Sequence, residues 1–321
     1  MLYPLKFRPI FKEKLWGSQN LNKLSKKVPF EKTGESWEIS GIENNLSVVS
    51  NGALANNNIL NILKQFEAGL VGKKNFSEFA HTFPLLIKYI DADDDLSVQV
   101  HPDDKLALKR HNENGKNEIW YIVEAKEGAE IIIGMNGISS QSEFEYHTNQ
   151  GTLPKYLQKV KVKKGEFYFV PAGTVHSIGQ GILIAEIQQP SDLTYRIDDR
   201  NRKDKHGNFR ELHTNLAKDA IDYTAKPGGS VKYNRIPDRQ NKVIGTDFFS
   251  INFINLQQSL DLNYEQRDSF TVLMCTEGKY YLAYNSATIE IKKGDTLLVP
   301  AVMDKLNLYT DGKAQIIEIF K

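Results

Sequence analysis

Four polar side chains in this sequence have the residue types and the spacing of a metal site. Gln99 and His101 are two residues apart in a run of β-type residues and would share one face of a strand. Glu118 opens a later apolar run, and His176 follows a turn-forming Pro-Ala-Gly. Two imidazoles, a carboxylate and an amide oxygen can hold a zinc-type ion and leave one coordination position open. The sequence therefore predicts a metal centre built from these four residues.

The role of Gln99 within this set stays open. Zinc prefers histidine, cysteine and carboxylate ligands, so the amide is either a fourth ligand or a group that orients water. His101 and His176 have alternative roles as a turn residue at a strand end and as a buried core histidine. A carboxylate that enters an apolar strand usually needs a partner, and for Glu118 the metal would be that partner.

Two basic side chains are expected beside the metal centre. Lys116 precedes Glu118 by two residues, so both side chains would face the same cavity on an extended segment. Arg196 is either paired with Asp192 or Asp198 or free to bind an anionic substrate, for which its fork of donors is well suited.

The strands that must position these residues are indicated by short β-rich runs separated by Gly and Pro. Residues 162–172 and 291–301 repeat one pattern, a Lys-Lys-Gly turn and then a strand that ends in Val-Pro-Ala. Each copy follows an apolar strand ending in Glu-Gly, at 120–128 and at 270–278. Such spacing is typical of antiparallel barrels, and two copies predict two barrels.

Only the first copy is equipped for a metal, because His176 has no counterpart after the second Val-Pro-Ala. We therefore predict a mainly β chain with a metal-binding domain at 1–226 and a second barrel without a metal site at 240–321. The linker between them is expected at about 227–241, a span that contains Gly228, Gly229 and Pro237. Helical spacing of apolar residues predicts a small helical insert at about 55–80, and a further helix capped by Ser140 is expected over 140–157.

Composition excludes several classes of partner. The 321 residues contain 41 Lys plus Arg and 40 Asp plus Glu, and the net charge of +1 gives no global field for nucleic acid or an anionic membrane. The single Cys275 allows no internal disulfide, and no apolar run is long enough to span a bilayer. The amino-terminal residues lack the pattern of a signal peptide, so cytoplasmic localisation is the expectation.

Five motifs follow one another in a recognisable order. They are Leu-Trp-Gly at 15–17, Gln-Val-His-Pro at 99–102, Gly-Lys-Asn-Glu-Ile-Trp-Tyr at 115–121, Pro-Ala-Gly-Thr-Val-His at 171–176 and Glu-Ile-Gln-Gln-Pro-Ser-Asp-Leu-Thr-Tyr-Arg at 186–196. The fourth, with its preceding turn and strand, resembles the second histidine motif of the cupin superfamily of jelly-roll barrels. Together the five resemble the short bacterial form of type I mannose-6-phosphate isomerases over residues 7–213, and the remainder resembles the second barrel of that family more loosely.

This resemblance implies two cupin-type jelly-roll barrels and one zinc ion per chain, used to interconvert mannose 6-phosphate and fructose 6-phosphate. It implies Gln99, His101, Glu118 and His176 as metal ligands and Lys116 and Arg196 as catalytic residues. Substrate-binding roles are expected for Trp16, Lys88, Ser97 and Glu186. The reaction would move a proton between C2 and C1 through an enediol, and His101, Glu186 and Lys116 remain alternatives for the group that carries it.

Two other functions remain open at this stage. A regulatory cupin would bind a sugar phosphate through the same residues without turnover. A cupin oxygenase would use iron, although such sites usually carry more histidine and need no lysine at position 116. The partner is expected to be a small-molecule sugar phosphate, and the chain is expected to be a monomer or a homodimer.

Overall fold

Strands dominate the architecture, as the sequence predicts. A computed structural model describes residues 1–204, 206–226 and 228–321, so Pro227, where the linker is expected to begin, lies outside the described residues. The strands before that gap are β1 (Leu5–Lys6), β2 (Ile10–Ser18), β3 (Thr33–Ile39), β4 (Leu86–Ala92), β5 (Val98–Val100), β6 (Glu118–Ala125), β7 (Glu130–Met135), β8 (Leu157–Lys161), β9 (Phe167–Val170), β10 (His176–Ile178), β11 (Ile182–Gln188) and β12 (Tyr195–Asp198). Those after it are β13 (Ser230–Val231), β14 (Gln240–Gly245), β15 (Ser250–Leu256), β16 (Ser259–Asn263), β17 (Thr271–Tyr284), β18 (Ala287–Lys292), β19 (Thr296–Val299), β20 (Lys305–Tyr309) and β21 (Ala314–Phe320).

The first barrel consists of two antiparallel sheets that face each other. One sheet has the strand order β13-β9-β6-β11-β4-β3-β2, and the other has the order β12-β5-β10-β7-β8. The second barrel is built on a sheet with the path β1-β19-β17-β21-β15-β14, to which β16, β18 and β20 are attached. The predicted fold class, a mainly β protein with cupin-type barrels, is confirmed.

Helices are few and short. Asn58 caps the first helix of the insert by accepting a hydrogen bond from the Asn61 amide. The helices are α1 (Ile59–Phe66), α2 (Ala68–Val71), α3 (Lys73–Phe79), α4 (Asp104–His111), α5 (Gln141–Asn149) and α6 (Thr214–Ala220), with short 3₁₀ helices at Asn20–Leu24 and Leu153–Tyr156. In the described parts of the chain, no helix combines the length and the apolar character needed to cross a bilayer.

The helix predicted over 140–157 is shorter than expected. Ser140 does cap α5, since its side chain accepts a hydrogen bond from the Glu143 amide. The helix nevertheless ends at Asn149, because Gly151 adopts a φ of 65° in the left-handed region and turns the chain. Leu157 therefore begins β8 rather than ending a helix.

The internal repeat is reproduced in the backbone pairing. In the first barrel, the amide of Gly165 donates to Ile122 O, and β9 pairs with β6 so that Val170 lies opposite Glu118. In the second, the amide of Gly294 donates to Cys275 O, and Val299 lies opposite Thr271. Both turn glycines have a φ near 90°, which explains why the repeated motif requires glycine there.

One apolar cluster contains residues of both barrels. Alternate residues of β6, such as Ile119 and Tyr121, pack in the same cluster as Phe253, Val272 and other residues of the second barrel. The amino-terminal strand crosses this boundary, because Leu5 pairs with Leu298 of β19. Residues 5–6 thus belong to the sheet of the second barrel, although the predicted division of the chain assigns them to the first.

Candidate metal centre

Strand alternation directs three charged side chains into the first barrel. On β4, β6 and β11 the odd-numbered residues pack against the second barrel, whereas even-numbered neighbours such as Trp120 and Ile184 pack inside the first barrel. Glu118, Lys88 and Glu186 are even-numbered and point into this interior, where each is at most 3% exposed. The period of the strands therefore brings together charges that are far apart in the sequence.

A row of three side chains crosses the opposite sheet. Gln99 of β5 lies opposite His176 of β10 on one side and opposite Arg196 of β12 on the other. Side chains directly opposite in neighbouring strands share a face. The Gln99 amide nitrogen lies 3.2 Å from His176 Nε2.

Both histidines are held so that one nitrogen faces the centre. His101 Nδ1 donates to Leu193 O at 2.7 Å, and His176 Nδ1 donates to Thr174 O at 2.8 Å. A carbonyl oxygen can only accept, so each Nδ1 carries the proton and each Nε2 presents a lone pair. This tautomer is the one in which Nε2 can ligate a metal.

The donor atoms of His101, Glu118 and His176 converge within 4.8 Å of one another. Among the described residues, this is the one cluster of at least three His, Cys, Asp or Glu side chains with that geometry. His101 Nε2 and Glu118 Oε1 are 2.9 Å apart, and both are acceptors, so their closeness requires a cation or a donor beside them. Two imidazoles and a carboxylate are the donor set of a catalytic zinc site, and the three residues fit such an ion.

The charge states also suit a divalent cation. Burial, reinforced by the positive charge of Lys116, lowers the pKa of His101 to about 3, and burial lowers the pKa of His176 as well. Burial opposes ionisation of Glu118, but the adjacent ammonium of Lys116 outweighs it and holds the pKa of this carboxyl well below its usual range. At neutral pH the centre therefore offers two neutral imidazoles and one carboxylate.

Lys116 lies at this centre, as its spacing from Glu118 predicts. Its Nζ is 2.5 Å from Glu118 Oε1 and 3.1 Å from His101 Nε2, and the residue is 4% exposed. It also lines the cavity in front of the histidines. A fixed positive charge is thus available at the boundary between the metal donors and the pocket.

A second buried carboxylate, Glu186, adjoins the first. The indole Nε1 of Trp120 donates to both Glu118 Oε2 and Glu186 Oε1, at 2.8 and 2.9 Å. Burial and the nearby charge of Glu118 raise the pKa of Glu186 to about 7, against the opposing effect of Lys88, whose Nζ lies 2.7 Å away. Glu186 is therefore a carboxyl that can gain or lose a proton near neutral pH.

The pocket in front of the centre has a volume of about 290 Å³ and mixed charge. Its lining includes seven of the ten site residues predicted from the sequence, namely Trp16, Lys88, Ser97, Gln99, Lys116, Glu186 and Arg196. The other three, His101, Glu118 and His176, lie directly behind Lys116 and Gln99. The structure thus brings all ten together around one site.

Five further polar or charged residues of the pocket are not among the site residues predicted from the sequence. They are Lys14, Glu35, Asp192, Thr194 and Arg210. Lys14 is two residues before Trp16 and shares its strand face, which is a weak indication. Arg210 comes from a loop, and no local pattern predicts its position.

Arg196 is not held by the carboxylates that the sequence suggests. Its Nη1 donates to Glu211 O at 2.8 Å, and its buried Nε has no hydrogen-bond partner in the protein. The neighbouring buried carboxylate, Asp199, is bound instead by Arg202 and Arg210. Arg196 therefore keeps part of its donor capacity for a ligand in the pocket.

Trp16 forms one wall of the pocket because two glycines let its strand approach closely. A Cβ on Gly34 would lie 2.6 Å from the Trp16 ring, and a Cβ on Gly17 would lie 2.3 Å from the Gly34 amide nitrogen. Any larger residue at either position would displace the indole. Trp16 is 5% exposed and packs in the interior cluster of the first barrel.

The second barrel holds a carboxylate at the register position of Glu186, in a different environment. Glu318 lies opposite Leu273, as Glu186 lies opposite Trp120. Its oxygens accept hydrogen bonds from Gln240, Asn252, Tyr264 and Arg267. Because these donors satisfy its oxygens, the carboxylate of Glu318 has a structural role.

Glu35 provides a test of the charge balance in the pocket. It contacts Lys14 Nζ at 2.9 Å and Trp37 Nε1 at 2.6 Å. Burial opposes its ionisation, but Lys88 and Lys14 outweigh it and lower the pKa of Glu35 to about 2. The folded protein therefore favours the ionised form of Glu35. The resulting stabilisation of the fold is fully present above the ordinary pKa of about 4.5 and is lost as the pH falls toward 2.

We expect wild type to be more stable than Glu35→Gln by about 3 kcal/mol at pH 7, with the difference shrinking between pH 4.5 and 2. Urea unfolding of both proteins over this pH range measures it. Glu78→Gln, which alters an exposed carboxylate, is the control and should show little difference at any pH. A difference for Glu35→Gln that does not change with pH would contradict the expectation.

Two family models match the chain. One, described as phosphomannose isomerase type I, catalytic domain, matches residues 4–146. The other, described as mannose-6-phosphate isomerase, cupin domain, matches residues 239–321.

Relatives named as mannose-6-phosphate isomerases match almost the full length. Mannose-6-phosphate isomerase ManA of Bacillus subtilis (strain 168) is 38% identical over 317 residues, with 98% of both chains covered. The mannose-6-phosphate isomerase of Streptococcus mutans is 34% identical, with 99% of this chain and 98% of the relative covered. The crystal structure of the mannose 6-phosphate isomerase from Bacillus subtilis superposes with a TM-score of 0.89 at 33% identity, covering 99% of each chain.

Proposed function

Because this chain belongs to the type I phosphomannose isomerase family, it is an aldose–ketose isomerase, and we propose that it interconverts mannose 6-phosphate and fructose 6-phosphate with one bound zinc ion. The observation that carries the metal dependence is the convergence of His101, Glu118 and His176 within 4.8 Å. The proposed chemistry is supported by two further residues. Lys116 contacts Glu118 of that group, and Glu186 accepts a hydrogen bond from the neighbouring Trp120.

The metal would be held by His101, Glu118 and His176, with Gln99 as a fourth ligand. The oxygen and nitrogen of an amide exchange places when the group rotates by half a turn. That rotation would turn the Gln99 oxygen toward His176 Nε2 and its nitrogen toward Ser97 Oγ, which lies 3.3 Å from the amide oxygen. When bound, the ion would supply a Lewis acid that polarises the sugar oxygens at C1 and C2.

Glu186 is the group that we propose to carry the proton between C2 and C1. A general base must reach the proton that it removes, and Glu186 lines the pocket without being a metal donor, while burial raises its pKa. His101 is unsuited to this role, since Nδ1 donates to Leu193 O and Nε2 is reserved for the metal. Lys116 would stabilise the negative charge that develops on the sugar oxygen as the enediol forms.

The remaining pocket residues would orient the substrate. Arg196 offers an unpartnered Nε, and a guanidinium binds phosphate or sugar oxygens through parallel hydrogen bonds. Lys88 and Ser97 add a cation and a hydroxyl to the same cavity, and Trp16 excludes water along one wall. Five cationic side chains line the pocket against three carboxylates, which favours an anionic substrate.

A coupled assay of fructose 6-phosphate formation from mannose 6-phosphate tests the proposal. Turnover is expected to disappear after exhaustive treatment with a chelator and to return with one equivalent of zinc per chain. Magnesium is the matched control and should not restore activity, because two imidazole ligands favour zinc over a hard cation. Undiminished turnover by protein shown to be free of metal would refute the zinc dependence, and no turnover in the zinc-loaded protein would refute the activity.

A further inference from the structure

Two buried amide side chains adjoin the catalytic segments without facing the pocket. Asn117 lies between Lys116 and Glu118, so strand alternation turns its side chain away from the cavity that they face. Gln189 follows β11, three residues after Glu186. The two are 7% and 8% exposed, and neither lines the pocket.

These amides bind each other and the chain around them. Asn117 donates to Gln189 Oε1 twice, from its backbone N at 3.0 Å and from Nδ2 at 2.7 Å. The backbone amide of Gln189 returns a hydrogen bond to Asn117 O at 3.2 Å. The pair is therefore closed by side-chain and backbone bonds together.

The pair reaches two further segments. Asn117 Oδ1 accepts a hydrogen bond from the Ala172 amide at 3.0 Å, four residues before His176. Gln189 Nε2 donates to Asp104 Oδ1 at 2.9 Å, three residues after His101. The same Asp104 oxygen accepts from the Gly115 amide at 2.8 Å, immediately before Lys116.

Four segments that are far apart in the sequence thus meet at one polar cluster. Each of them carries one or two of the groups at the site, namely His101, Lys116 with Glu118, His176, and Glu186. In the part of the chain that the structure describes, none of the hydrogen bonds of this cluster reaches a metal donor atom, so its effect on the site passes through the backbone.

We propose that Asn117 and Gln189 are positioning residues that hold Lys116 and Glu118 in register with His101, His176 and Glu186. This inference rests on the proposed function, because its main effect is expected on isomerase turnover. A displacement of catalytic groups by about 1 Å can cost on the order of 10²-fold in rate. Substrate affinity is expected to depend mainly on Arg196 and on the pocket cations other than Lys116, which the pair does not hold.

The test compares Asn117→Ala with Asn241→Ala. Asn241 is also buried, at 5% exposure, and its amide bridges Ile236, Arg239 and Phe253 rather than any of the four catalytic segments. The same atoms are therefore removed from a similar environment. Both variants are expected to lower the Tm by a similar amount.

Only the Asn117 variant is expected to change the site. Its kcat should fall by about 10- to 100-fold with KM within about threefold, and its Kd for Co²⁺, measured by visible absorption, should rise at least about tenfold. Asn241→Ala should keep wild-type kcat and Co²⁺ affinity. Gln189→Glu keeps the acceptor for Asn117 but presents a carboxylate to Asp104, so it should reproduce the effect of Asn117→Ala. It replaces Asn117→Ala in the test if that variant does not fold.

The outcomes separate the two claims. Folded Asn117→Ala and Gln189→Glu proteins with the kcat and Co²⁺ affinity of Asn241→Ala would overturn the positioning role. A zinc-loaded wild type that fails to isomerise mannose 6-phosphate would overturn the proposed function instead, and the Co²⁺ affinities would then decide the positioning role alone.

Discussion

Replacing Glu118 with glutamine is expected to release the metal and to lower turnover of mannose 6-phosphate by at least about 10³-fold. Glu118 is the one anionic donor beside His101 and His176, so the variant leaves three neutral groups and the positive charge of Lys116 around a divalent cation. Glutamine has nearly the same shape, and its oxygen can still accept the hydrogen bond from Trp120.

Zinc per chain after dialysis, measured by mass spectrometry, is the direct readout, with kcat measured on the same samples. Glu124→Gln is the matched control, because Glu124 lies on the same strand and pairs with Lys23 and Lys293 at the surface. It should retain full zinc and activity. A Glu118→Gln protein that keeps one zinc ion and wild-type turnover would rule out this carboxylate as a ligand.

Replacing Lys116 with methionine is also expected to lower turnover, but with zinc retained. The ammonium lies 2.5 Å from Glu118 Oε1, where it competes with a divalent cation for the same carboxylate. Its removal should therefore leave metal affinity unchanged or higher. Without this charge the developing sugar oxyanion loses its stabilisation, and kcat should fall by about 10²- to 10³-fold.

The two variants together separate metal binding from charge stabilisation. Lys126→Met, which removes an exposed lysine paired loosely with Asp93, is the control for loss of positive charge and should behave as wild type. If Lys116→Met keeps kcat within about twofold of wild type, the proposed role of the lysine is wrong. If it loses zinc, the lysine acts by supporting the metal site rather than by stabilising charge.

Local patterns predict those parts of the site that depend on strand period and repeated turns. The two-residue spacing places Gln99 and His101 on one strand face, and it is Glu118 and His176, later in the sequence, that distinguish the pair from surface residues. Lys116 and Glu118 follow from the same rule. The repeat around Gly165 and Gly294 predicts two barrels, since a glycine at a positive φ ahead of a short strand is a constraint that both copies share.

Contacts between distant segments are not encoded in any local pattern. The sequence leaves open whether Arg196 pairs with Asp192 or Asp198 or is free for a substrate. In the structure its guanidinium binds the Glu211 carbonyl, and Asp199 is occupied by Arg202 and Arg210. These contacts depend on where a loop returns to the barrel. Asn117 and Gln189 escape sequence inspection for the same reason, because an amide becomes a bridge only when its partners are folded around it.

The pairing of Leu5 with Leu298 has a consequence for the order in which the nascent chain folds. The ribosome adds Leu298 about 290 residues after Leu5, and at about 5–20 residues per second the first strand waits on the order of tens of seconds for its partner. During that interval, Leu5 and the outward face of the first barrel, including Ile119 and Tyr121, remain uncovered. The outward face of the first barrel is therefore covered only after the second barrel has been synthesised, and until then it exposes apolar surface to other chains.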